Sequence, residues 1–149
     1  MESKDCDAVV RLLVETDPWK RLGYTQEDWV RIFSPTPQGR ETFVLDTEGT
    51  VAAIAIVRQK FLLGDYLELL GVADWARGKG IGKELLAHIE SIVFGRTTNL
   101  FACVSDFNTG ARDFYKKQGY QEIGPMPNFL IPGSAEILLR KTSGPAMRG

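Results

Sequence analysis

A joint between two kinds of periodicity constrains this chain most. Tyr66–Val72 alternates in the manner of a strand, and Ile81, Leu85, Ile89, Ile92 and Val93 recur at helical spacing. Between them lie Gly78, Gly80 and Gly82, with the cations Arg77, Lys79 and Lys83. A glycine-rich turn feeding a helix aims unpaired backbone N–H groups and the positive end of the helix dipole at one point. Such a joint is an anion cradle, and it exists only on a strand–turn–helix unit.

Spacing excludes two common phosphate loops. A Walker A loop places a glycine five positions before its Gly-Lys pair and a Ser or Thr after it. Here Arg77 holds the first of those places and Glu84 the second. The dinucleotide fingerprint requires a third glycine where Lys83 stands. What remains is Arg77-x-x-Gly80-x-Gly82 between strand and helix. The positive charge is local: the net charge of the chain is −1, and no basic field favours nucleic acid.

The chain has 149 residues, 44% hydrophobic and 25% charged, which is the composition of one soluble domain with a single core. Residues 5–15 carry Val9, Leu12 and Leu13 at helical spacing behind Asp5 or Asp7 as a cap, and Pro18 ends that helix. A second helix fits Thr25–Phe33, with Thr25 and Asp28 as a capping box and Trp29, Ile32 and Phe33 on the buried side. From Arg40 the period falls to two. Glu41–Asp46 and Val51–Leu62 flank a turn at Thr47–Thr50, and Val51–Val57 is apolar on both faces, so a central position is expected. Gly64-Asp65 turns the chain into Tyr66–Val72, where Leu69-Leu70-Gly71 marks either a bulge or the end of the strand.

The helix Gly80–Phe94 closes on Gly95 as its C-cap. Asn99–Val104 is then a buried strand, parallel to Tyr66–Val72 because a helix joins the two. Asn108 caps a helix reaching Gln118, with Ala111, Phe114 and Tyr115 facing inward. Tyr120–Ile123, an irregular loop at Pro125, Pro127 and Pro132, and the strand Ala135–Arg140 complete the order ααβββαβαββ. The expected class is α/β (mixed α+β), a single domain over residues 1–142 with a mixed, mostly antiparallel sheet and helices on both faces. Residues 143–149 read as a mobile tail.

The loop Arg77-x-x-Gly80-x-Gly82 resembles the coenzyme A loop of the GNAT family of N-acetyltransferases. The segment Asn108-x-x-Ala111-x-x-Phe114-Tyr115-x-x-x-Gly119-Tyr120 resembles that family's second block, in the right order and on the right elements. The likeness covers residues 5–141. It departs at the start, where only Met1–Lys4 are left for the family's usual opening strand, and at Asp74, where the family tends to have proline.

The resemblance implies transfer of an acetyl group from acetyl-CoA to a primary amine by direct attack in a ternary complex, without a metal or a covalent enzyme intermediate. It implies that the pyrophosphate of coenzyme A rests on the amides of Gly78, Lys79, Gly80, Ile81 and Gly82, with Arg77 as a fork and Lys83 beside it. The backbone of Leu70 and Val72 would meet pantetheine and the acetyl carbonyl. Tyr115 matches the tyrosine that protonates the departing thiolate, a position that core packing beside Phe114 also suits. Asn108 can hold the pantetheine amide as well as cap its helix. Glu68 shares a strand face with Leu70 and Val72 and is the candidate general base; an ordinary, partly exposed strand glutamate is the equal alternative. Cys103 stands where some relatives that acetylate protein N-termini carry a catalytic glutamate.

A different class stays open: a non-catalytic acyl-CoA-binding module, a sensor or partner subunit with the same fold. A nucleotide-triphosphate binder is a third, disfavoured by the loop spacing. His88 reads as a half-buried structural residue. Trp19, Tyr24 and Trp29 are expected near the acceptor, with Trp29 more a core residue, and Phe129 and Ile131 on the other side. Cys6 and Cys103 form neither a metal spacing nor a disulfide framework. Reduced thiols, a polar start and short apolar runs point to a cytoplasmic protein that enters no membrane. The acceptor is a small-molecule or peptide amine. The chain reads as a monomer, or as a homodimer pairing through Ala135–Arg140.

Overall fold

The computed structural model describes residues 38–147, preceded by Val9 and residues 11–13, 22–23 and 25–28. The period-two stretches form β1 (Arg40–Thr47), β2 (Thr50–Phe61), β3 (Gly64–Val72), β4 (Asn99–Ser105), β5 (Gln121–Pro127) and β6 (Ala135–Thr142). Helix α1 (Ile81–Val93) joins β3 to β4, and α2 (Thr109–Lys117) joins β4 to β5. The sheet has the order β1-β2-β3-β4-β6-β5. β3 and β4 run parallel, with Tyr66 against Phe101, as a helical crossover requires; β4–β6 and β5–β6 are antiparallel. Among the described residues no helix is long and apolar enough to cross a membrane.

Two compact units divide the chain: Met1–Val57 with Leu69–Leu86, and Arg58–Glu68 with Ala87–Gly149. β2, β3 and α1 each run through both. In the first unit, Ala52–Val57 of β2 is buried without alternation, the signature of a strand covered on both faces. Its Ile54 and Ile56 pack with Val9, Leu13, Val51 and Leu69, so the apolar stripe of the first helix reaches the core as expected. The small residues Ala52, Ala73 and Ala76 form a second cluster against Ile81, and the Ala73 N–H donates to the Ala52 carbonyl at 2.8 Å. That contact fixes the chain just before the glycine loop.

In the second unit, Leu67, Leu100, Ala102, Val104, Ile137 and Leu139 share one buried sheet face. Asp65 and Arg96 form a pair at 2.6 Å, and Glu90 accepts from both Tyr120 (2.8 Å) and Lys141 (3.1 Å). These bonds satisfy charges that burial would otherwise penalise.

Several expectations are corrected. The β2–β3 turn is Leu62-Leu63, both at positive φ, rather than Gly64-Asp65; Gly64 opens β3 because a Cβ there would lie 2.5 Å from the Asn99 carbonyl. Burial alternates through Leu69-Leu70-Gly71, and the pairing of β3 with β4 runs only from Asp65–Leu100 to Leu67–Ala102. A register shift occurs in β5, between Glu122 and Gly124. Pro125 and Pro127 lie inside β5 and not in a loop, tolerated because β5 is an edge strand. β6 is paired on both sides, which removes it as a surface for a second copy. α1 ends at Val93, and Gly95 sits in the following turn without a left-handed φ. The expected tail begins in order: the Ser143 N–H bonds the Thr98 carbonyl at 2.9 Å. His88 is exposed rather than half-buried.

At the N-terminal end, Thr25 and Asp28 do form a reciprocal capping box, at 2.9 and 3.2 Å. The readings at Met1–Lys4, Cys6, Trp19, Tyr24, Trp29, Ile32 and Phe33 lie outside the described residues.

Candidate functional site

The glycine loop belongs to the first unit. Gly78 and Gly80 take φ of +74° and +76°, a region that side chains enter at a cost, while a Cβ at either position would meet nothing within 4 Å. Backbone conformation, and not crowding, therefore calls for glycine at both. The first helical bond runs from the Glu84 N–H to the Gly80 carbonyl at 2.9 Å. Among the described residues no amide from Gly78 to Lys83 donates a hydrogen bond. Six consecutive free donors at a helix start, with exposed Lys79 and Lys83 beside them, form a strong anion cradle.

The side chains around the loop are partly engaged. Arg77 lies 3.4 Å from Asp74, both well exposed, and Lys79 sits 5.9 Å from the centre of the Trp75 ring. Leu70 and Val72 are half-buried on one face of β3, in phase with Glu68.

Glu68, Asn108 and Tyr115 belong to the second unit. Asn108 caps α2: its Oδ1 accepts from the Ala111 N–H at 3.2 Å, and its Nδ2 has no partner among the described residues. Tyr115 is buried, packed edge-on against Phe114 and Tyr120 at 5.2 Å, and its hydroxyl has no hydrogen-bond partner among the described residues. Burial pushes its phenol well above the usual value, with a further push from Cys103. Glu68 accepts from Arg58 at 3.2 Å and is half-buried.

Sequence reasoning gave no site role to Tyr66, Ser105, Glu136 and Arg140, which this unit places on one sheet face with Cys103. Tyr66 and Cys103 lie near each other on one sheet face; burial pushes both groups up, and the Tyr66 hydroxyl offsets part of the rise at the thiol. Ser105 donates to Glu136 Oε2 at 2.6 Å, with both residues buried. Burial raises the Glu136 carboxyl, Ser105 lowers it, and nearby Asp106 raises it again. Arg140, in register with Phe101, has a buried Nε without a partner. The signal available in the sequence was weak: a polar residue at an inward position of an otherwise apolar strand. Among the described residues no group of His, Cys, Asp and Glu is placed to hold a metal.

Residues 7–120 match the acetyltransferase (GNAT) family. The chain belongs to that family. Over 63 residues it is 40% identical to the peptidyl-lysine N-acetyltransferase YjaB of Salmonella typhimurium, a stretch covering 42% of this chain and 41% of that protein. The match thus takes in less than half of that relative. Among solved structures, the ribosomal-protein-S18-alanine N-acetyltransferase of Escherichia coli superposes with a TM-score of 0.80 at 20% identity, over 100% of this chain and 93% of that one. An aminoglycoside 6'-N-acetyltransferase complexed with coenzyme A gives 0.77 at 19%, over 99% and 95%. At these identities the likeness is one of fold. The GNAT match includes both the glycine loop and α2 with Tyr115.

Proposed function

We propose that this GNAT protein is an N-acetyltransferase that moves the acetyl group of acetyl-CoA to a primary amine. The observation that carries the reading is the run of amides from Gly78 to Lys83, without partners among the described residues, at the start of α1, matched by a family whose members are acetyltransferases. Gly78, Lys79, Gly80, Ile81 and Gly82 would hold the pyrophosphate through the backbone, with Arg77 and Lys83 adding charge. Leu70 and Val72 would offer main-chain groups to pantetheine, and Asn108 its unused Nδ2.

Acetyl-CoA supplies the activated thioester, so the protein's work is alignment and proton management. A neutral amine forms the new N–C bond as the C–S bond breaks; the sulfur leaves with the electron pair and takes up the proton that the acylated nitrogen sheds. Tyr115 would meet that sulfur. A phenol raised by burial stays protonated through the neutral range. Proton transfer from it to a thiolate, whose thiol has a pKa of about 8.5, runs uphill. Tyr115 therefore acts by donating an O–H hydrogen bond to the developing thiolate. Direct attack requires no metal.

The acceptor follows from the relatives only in outline. The named curated relative acts on peptidyl lysine, which makes a lysine ε-amine the first acceptor to try, with an aminoglycoside amine second. The test is calorimetric titration with acetyl-CoA and with ATP, followed by thiol release with a lysyl peptide, aminoglycosides and polyamines. Saturable binding of acetyl-CoA alone and thiol release with at least one amine are expected. Binding of ATP but not acetyl-CoA defeats the cofactor assignment. Binding without turnover on any amine defeats the enzymatic one.

A further inference from the structure

The second unit holds a buried carboxylate that nothing above uses. Glu136 is 7% exposed, and Ser105 Oγ is its one hydrogen-bond partner among the described residues. No cation lies within ion-pair distance of it among them, whereas Glu68 is tied to Arg58. An ionised carboxylate in that setting is costly unless a positive partner arrives. Its mount is rigid. β4 and β6 stay in register from Asn99–Thr142 to Ser105–Glu136, and Asp106 clamps the adjoining Ala135 with its N–H (2.9 Å) and its carboxylate (3.0 Å).

Glu136 also faces the right neighbours. By register it shares a sheet face with Cys103 and Tyr66, and its charge acts on both. Cys103 in turn acts on Tyr115. Cys103, a diagonal neighbour of Glu136 across the β4–β6 register, therefore has both the carboxylate and Tyr115 in its surroundings. Cys103 cannot itself serve as a base, because burial keeps it protonated.

We infer that Glu136 is the carboxylate that receives the acceptor's ammonium group and takes its proton. In the balanced step, one ammonium N–H proton passes to Glu136 and the freed nitrogen pair attacks the acetyl carbonyl carbon. The C–S bond then breaks, the sulfur departs with its pair toward Tyr115, and the proton still held by the attacking nitrogen passes to that sulfur, so the amide is neutral and coenzyme A leaves as the thiol. Glu136 later returns its proton to water. Ser105 holds the carboxylate in place through Oε2, leaving Oε1 for the ammonium. This inference rests on the N-acetyltransferase reading and replaces Glu68 as its general base.

The groups facing Glu136 are Ser105 and Cys103 on β4, Asp106 after it, and Tyr66 with Glu68 beyond on β3; Arg140 lies on its own strand, and Met126 opposite on β5. Two measurements test the assignment. In carbon-13 NMR of glutamate-labelled protein, the carboxyl resonance lost in Glu136→Gln is followed against pH, with and without saturating Nα-acetyl-lysine amide. The amine should move that titration to lower pH, since a cation favours the charged form. A titration that the amine leaves in place overturns the inference.

The second measurement is kcat/KM for thiol release against pH. Glu136→Gln should lose about 10²-fold or more together with the acidic limb of the profile, with the acetyl-CoA Kd unchanged within about twofold. Ser105→Ala should move that limb to higher pH, because it removes the bond that lowers the carboxyl. Glu68→Gln should leave the pH of that limb in place. A Glu136→Gln enzyme with the wild-type rate and limb, or a Ser105→Ala limb that does not move, refutes the assignment. If the wild type turns over no amine, the parent reading fails, and the NMR titration still decides whether Glu136 binds an ammonium.

Discussion

Two residues separate what burial does for packing from what it does for chemistry. Tyr115 is held by Phe114 and Tyr120, so its ring is a core element while its hydroxyl has no hydrogen-bond partner among the described residues. Tyr115→Phe keeps the packing and removes the donor. It should lower kcat at least tenfold, with acetyl-CoA affinity within about twofold by calorimetry; an unchanged kcat removes Tyr115 from its role. Glu136 makes the complementary case. Its folded carboxyl titrates above its unfolded value, so between the two the folded state binds more protons, and stability falls as pH rises through that window. Glu136→Gln accepts the same Ser105 bond without the charge. It should therefore be more stable than wild type at pH 7 in urea unfolding, and the difference should vanish below about pH 4, where the carboxyl is protonated in both states. A difference independent of pH would assign the effect to packing.

Among the elements, the β2–β3 hairpin carries the clearest strain. Leu62 and Leu63 occupy a two-residue turn at φ of +45° and +59°, with side chains 66% and 71% exposed. Type I′ turns favour Asn-Gly because branched and bulky residues resist positive φ. Leu62→Asn with Leu63→Gly should raise stability by about 1 kcal/mol, read as a higher urea midpoint at constant m-value. The next residue is the opposite case. Gly64→Ala would press a Cβ to 2.5 Å from the Asn99 carbonyl and 2.7 Å from its Cβ, both held by strand pairing. A loss of about 2 kcal/mol or more and a lower Tm are expected. A neutral result would mean that the β3–β4 junction gives way easily.

For the whole molecule, the sheet's order decides how it meets other chains. β6 is interior, and the far edge belongs to β5, where Pro125 and Pro127 lack N–H groups and a register shift at Ile123 interrupts the ladder. Those features discourage strand addition. Pro125→Thr with Pro127→Thr restores two donors and should increase the weight-average mass in sedimentation velocity at high concentration. No change would show that the edge is protected by other means.

Most of the fold was legible because periodicity and glycine placement are local signals. The meander, the α1 crossover with its parallel pair, the Asn108 cap and the glycine loop follow from residues within one or two turns of one another. The misreadings share one cause. Gly64 carries the look of a turn, yet its glycine answers to Asn99, 35 positions away in the chain. Pro125 and Pro127 carry the look of a loop, yet edge position makes them strand residues. The candidate site divides the same way. Gly78–Lys83, Asn108 and Tyr115 could be named from their own segments. The tie of Glu68 to Arg58, and the meeting of Ser105 with Glu136 beside Cys103 and Tyr66, depend on strand register. Sequence by itself determined the anion cradle at Gly78–Lys83, because a loop's amides are set by its own backbone. Only the tertiary structure decided which carboxylate has no cation beside it among the described residues, because that depends on what distant strands place next to it.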